Sequence, residues 1–160
     1  METLFETETL IGKTEEVYMN QIILASHGGM SAGALDTAKM ILGDLPNMYA
    51  VSTSRDETET VTEETIRLLK GFSKEDTVYI LTDVLGGSVN NDMLALAAGY
   101  PEITVICGMN MGLILALATQ DEALSKEELD EIIEQSREQL MDCSAKLREA
   151  ANQEEEEDDL

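Results

Sequence analysis

Four short apolar runs, each followed by a stretch with helical spacing, constrain this chain more than any other feature. They lie at residues 21–26, 49–52, 77–82 and 103–107. The runs are continuous, the mark of strands buried on both faces. Between them the period lengthens. Residues 31–42 put Leu35, Ala38 and Leu42 on one helix face, with Gly43 as a stop. Residues 61–70 open on a capping box of Thr60 and Glu63 and end at Gly71. Helices are also expected over 89–98, ended by Gly99, and over 111–119. A last helix opens with Ser125 and Glu128 and keeps its period through Leu129, Ile132, Ile133, Leu140 and Leu147. That face should pack on the sheet. Strand–helix alternation with short loops predicts an α/β protein: a doubly wound, mostly parallel sheet of four to five strands with helices on both faces.

The chain has 160 residues, 43% of them hydrophobic, which suits one domain with a sizeable core. That domain is expected over residues 20–150. Residues 1–19 form an N-terminal extension without a clear period; a disordered arm and a docked element both fit it. Glu154 to Asp159 are consecutive acids, so residues 151–160 are expected to be a disordered tail. Formal net charge is −23, and without these two stretches the remainder is still acidic. Nucleic acid needs a basic footprint and anionic lipid needs basic residues, so neither is expected as a partner. The acidity serves solubility or attracts a basic protein. Cys107 and Cys143 make neither a disulfide framework nor a zinc spacing, in keeping with a reducing cytoplasm. No metal or cofactor is implied. No apolar run reaches the ~18 residues of a membrane span, and the acidic N-terminus is not a targeting signal.

Three of the strand ends carry polar residues beside glycine. The first is Ser26-His27-Gly28-Gly29, with the only histidine of the chain. The second is Asp83, followed by Gly86-Gly87-Ser88, and the third is Gly108-Met109-Asn110. In a parallel sheet all three share the edge where ligands bind. A carboxylate that accepts a hydrogen bond from one imidazole nitrogen leaves a lone pair on the other. It also stabilises the charge that grows as that nitrogen attacks phosphorus. His27 is the candidate nucleophile and Asp83 the candidate acid. Gly86, Gly87 and Ser88 lead into a helix and are expected to offer backbone N–H groups to a phosphoryl group. Gly28 and Asn110 are supporting candidates. Met30, Met109 and Met111 flank the site as a candidate apolar docking rim.

In order, these pieces resemble the A component of the mannose/fructose/sorbose family of the sugar phosphotransferase system. They are His27-Gly28, Ile41-Leu42-Gly43, Asp83 with Gly86-Gly87-Ser88 and Asn91, and Gly108 with Asn110. The resemblance covers about residues 20 to 147. It implies a phosphotransferase that takes a phosphoryl group from the phosphocarrier protein HPr onto His27, with Asp83 bonded to the ring. The group then passes to a B component, which phosphorylates a sugar entering through membrane C and D components. The resemblance also implies a homodimer. Val89 and Gly112 stand where the family commonly has proline, and Asn90 where it commonly has an aromatic residue. The phosphocarrier subunit of dihydroxyacetone kinase shares the histidine motif, but Gly86-Gly87-Ser88 favours the transport family. A regulatory phosphoprotein signalling through His27 is the alternative of a different class.

Overall fold

The computed structural model describes residues 19–56 and 58–158, the side chains of 154–158 excepted. The elements are β1 (Asn20–His27), α1 (Met30–Leu42), β2 (Met48–Thr53), α2 (Val61–Leu69), β3 (Thr77–Thr82), α3 (Ser88–Ala97), β4 (Ile103–Cys107), α4 (Met111–Ala118), α5 (Lys126–Glu138) and α6 (Cys143–Asp158). The sheet has four strands, all parallel, in the order β2-β1-β3-β4. The chain runs outward from β1 to β2, then crosses back to lay β3 on the far side of β1. This reversal opens a crevice at the carboxyl ends of β1 and β3.

Alternate side chains of the buried strands feed two cores. Ile22 and Leu24 of β1 join Tyr79, Leu81 and Ile106 beneath α1 and α4, whose Ala38, Leu113, Ile114 and Leu117 complete that layer. Leu129, Ile132 and Ile133 of α5 pack against it. Ile23 and Ala25 face the other way, onto Val51, Val78, Ile80 and Ile103 beneath Val61 of α2 and Val89 and Met93 of α3. Both expected capping boxes form, Thr60 with Glu63 and Ser125 with Glu128. No helix among the described residues is long and apolar enough to cross a membrane.

The C-terminal region differs from expectation. The helix beginning after Ser125 ends at Glu138, and α6 starts afresh at Cys143, with Asp142 accepting from the Ala145 N–H at 3.0 Å. An aspartate at that position restarts a helix by taking a first-turn donor. Leu140 and Leu147 therefore leave the α5 face, and they are 94% and 74% exposed. Among the described residues, neither joins a core cluster. Helix also runs on through Asp158, past the expected start of a disordered tail at residue 151; alanine, glutamine and glutamate are strong helix formers. Residues 1–18 of the N-terminal extension, and 159–160 of the tail, lie outside the described residues. Of the extension, Met19 donates its N–H to Asp76 at 3.1 Å.

Candidate active site

His27 ends β1 and Asp83 follows β3, the strand beside it; the register pairs Ala25 with Thr82. The His27 backbone N–H donates to Asp83 Oδ2 at 2.8 Å, and ring Nδ1 lies 2.9 Å from the same oxygen. An ionised carboxylate only accepts, so Nδ1 carries the proton and Nε2 keeps the lone pair. Nε2 lies 3.0 Å from Ser88 Oγ, whose hydroxyl is then the donor. The histidine side chain is 45% exposed and that of Asp83 only 6%. The pair is an anchored carboxylate holding an accessible imidazole.

Burial by itself pushes the Asp83 carboxyl up. Hydrogen bonds from the His27 backbone and ring, and from the Val84 N–H at 2.9 Å, outweigh burial and hold it below the ordinary carboxylate value. A lowered folded value means that Asp83 contributes its full stabilisation above the unfolded-chain pKa of about 3.9. That contribution is lost as pH falls through the folded value. Along a series of falling pH, we expect the stability difference between wild type and Asp83→Asn to shrink below about pH 5. Urea denaturation of both proteins down that series checks it; a difference that persists undiminished to acid would contradict the assignment.

The turn after Asp83 works differently from the sequence expectation. Gly86 has φ +74°, the left-handed region that glycine tolerates. Its N–H donates inward to Asn90 Oδ1 at 3.3 Å, and that of Gly87 donates to the Val84 carbonyl at 3.0 Å. Both amides serve the turn itself, so neither is open to an anion in this conformation. The uncommitted donors come one step later. The N-cap of α3, Gly87, makes no side-chain bond, which leaves the first-turn amides of Ser88, Val89 and Asn90 uncapped. Gly87 has a steric role: a Cβ there would stand 3.1 Å from the Val84 carbonyl oxygen and 3.3 Å from His27 Cε1. Glycine lets the turn approach the imidazole ring.

The third strand end joins the edge through the backbone. The N–H groups of Gly108 and Met109 both donate to the Thr82 carbonyl, at 3.0 and 2.9 Å. The Asn110 side chain caps α4, accepting from Leu113 N–H at 3.0 Å and donating to the Gly108 carbonyl at 3.3 Å. Its bonds are local to its own turn, with none to His27 or Asp83. Gly28 has φ +56° and donates its N–H to the Thr53 carbonyl at 2.8 Å, tying the histidine turn to β2. The expected methionine rim is corrected. Met109 is 5% exposed and belongs to the core, and Met111 packs against that core. Met30 is 48% exposed, and Val84 and Leu85, beside Asp83, are 56% and 82% exposed.

Sequence reasoning gave no structural role to two supports. Ser26, fully buried, accepts the Ser31 N–H at 2.8 Å, and Ser31 Oγ donates to the Val51 carbonyl at 2.9 Å. This pair pins the start of α1 beside His27. The other is the pair Asn90 and Asn91 behind the Gly86 turn. A polar residue on an otherwise apolar helix face was the available signal for Asn90.

The fold and the strand-end pair define a doubly wound α/β protein with a histidine–carboxylate site at its switch point. The chain belongs to the EIIA-man family, the PTS system fructose IIA component, which it matches over residues 21–136. It is similar in structure to the IIA protein associated with the fucose utilization operon of Streptococcus pneumoniae. That alignment has a TM-score of 0.71 and 24% identity, over 81% of this chain and 97% of the other. Component EIIA from Streptococcus agalactiae aligns with a TM-score of 0.68 and 24% identity, over 79% and 99%. The mannose/sorbose-specific IIA subunit from Enterococcus faecalis gives 0.58 and 26%, over 71% and 83%. At such identities the first two alignments speak for the fold. No curated protein sequence matches the chain.

Proposed function

We propose that this IIA component is a phosphohistidine carrier: it accepts a phosphoryl group from HPr on His27 Nε2 and passes it to a B component for sugar uptake. The observation that carries this reading is the 2.9 Å contact of His27 Nδ1 with Asp83, which directs the lone pair to the opposite ring nitrogen. In the accepting step, that lone pair attacks phosphorus. The new N–P bond forms as the bond from phosphorus to the donor nitrogen breaks, and the released electron pair stays on the donor. The Nδ1 proton remains on His27, and Asp83 balances the positive charge of the phosphorylated ring. The Ser88 hydroxyl and the uncapped amides of α3 offer donors to the phosphoryl oxygens. Handing the group to the B component runs the same step in reverse.

Met30, Val84 and Leu85 supply exposed apolar surface for docking, and the net charge of −23 attracts partners with basic faces. A cytoplasmic homodimer acting with membrane C and D components belongs to the same reading, by likeness to the family. Incubation with phosphoenolpyruvate, Enzyme I and HPr, followed by mass spectrometry under non-acidic conditions, should find one acid-labile phosphate. Adding the B component should discharge it. A phosphate that is acquired but never discharged would favour the regulatory alternative; none at all, with active donor proteins, would sink both.

A further inference from the structure

Asn90 lies on the inner face of α3, 2% exposed, between the fully buried Val89 and Met93. A buried amide among apolar side chains costs stability unless its hydrogen bonds are made, and this one bonds the site turn at one end and the end of β3 at the other. Oδ1 accepts the Gly86 N–H at 3.3 Å, and Nδ2 donates to Thr82 Oγ1 at 2.9 Å. The orientation follows from chemistry: an N–H can only donate, so the atom facing Gly86 is the oxygen. From the solvent side, Asn91 Nδ2 donates to the Gly86 carbonyl at 3.2 Å. The Gly86 residue is thus held through its N–H and its C=O, at a positive φ. Thr82, buried and next in chain to Asp83, ties this clamp to the strand that presents the acid.

Resting on the carrier reading above, we propose that Asn90 is a positioning residue for phosphoryl transfer. Through Gly86 it sets the separation between His27 Nε2 and the first turn of α3. The coupling path is short. Gly86 leads into Gly87, which lies against the imidazole at His27 Cε1, and Gly87 is the N-cap of the helix whose first residue, Ser88, meets His27 Nε2. A released Gly86 turn changes where those donors stand without removing nucleophile or acid. Such misplacement lowers the rate of the chemical step and leaves encounter with the donor protein intact.

The test is Asn90→Leu, which keeps volume and discards both bonds, with phospho-HPr as the donor. The kcat of phosphoryl acceptance should fall about tenfold or more, with KM for phospho-HPr within about twofold. Gly86 amide exchange, followed by NMR, should accelerate. Thr82→Val attacks the same clamp from the strand and keeps the apolar volume, should Asn90→Leu fail to fold; its kcat should also fall, and Thr82→Ser should restore it. An unchanged kcat in folded Asn90→Leu, a change confined to KM, or a Thr82→Ser as slow as Thr82→Val would overturn the proposal. A wild type that takes no phosphate counts against the carrier reading instead. In that case the Gly86 amide decides the clamp alone, and unchanged exchange in Asn90→Leu would dispose of it.

Discussion

Replacing His27 with alanine should abolish phosphorylation completely while the protein stays folded. The chain has no second histidine, so no other imidazole can accept the group. Nearly half of the His27 side chain is in solvent, so its removal leaves little cavity. The buried partner is the concern, because Asp83 loses the ring N–H. It keeps the backbone N–H of residue 27 on Oδ2, at 2.8 Å, and that of Val84 on Oδ1, at 2.9 Å. One lost charge-assisted bond costs about 1–3 kcal/mol, below the stability of a typical domain. The expected result is a native circular dichroism spectrum and no acid-labile phosphate. Phosphate retained on the variant would remove His27 from its role.

Asp83→Asn should slow phosphoryl acceptance by about 10²–10⁴. Two effects combine. The neutral amide no longer balances the charge on the phosphorylated ring. Its NH₂ group can also donate to Nδ1, which moves the ring proton to Nε2 and removes the attacking lone pair. The fold should survive with a loss of about 1–3 kcal/mol. The amide has one oxygen, whereas the carboxylate serves the His27 and Val84 N–H groups with two, so one N–H faces a donor in either orientation. Single-turnover transfer from phospho-HPr, with thermal unfolding as the control, separates the effects. A rate within tenfold of wild type would show that Asp83 holds the strand ends together and contributes little to transfer.

Much of this architecture was legible because its signals are local. Continuous apolar runs bounded by glycine or capping residues gave β3 and β4 with the expected bounds, and the two capping boxes gave the starts of α2 and α5. His27 and Asp83 could be paired in advance because parallel strands end on one edge, and the register brings them together. The methionine rim was not legible. Spacing puts Met109 beside the site, but whether it faces solvent depends on α4 and α5 covering it. Leu140 and Leu147 have the same lesson: a helical period persists across a break that Asp142 introduces.

By itself, the amino-acid order determined the element types, the parallel sheet and the choice of His27 and Asp83 as the candidate nucleophile and acid. These rest on side-chain period, backbone preference and residue chemistry, all properties of neighbours in the chain. The tertiary structure alone decided how the hydrogen bonds of the site turn are shared. It assigned the Gly86 and Gly87 amides to the turn, left the α3 amides of Ser88, Val89 and Asn90 uncapped, and placed Asn90 behind Gly86. The physical reason is directional. Each N–H has one hydrogen to donate, and where it points is set by the packing of α3 against β1 and β3, which no local pattern encodes.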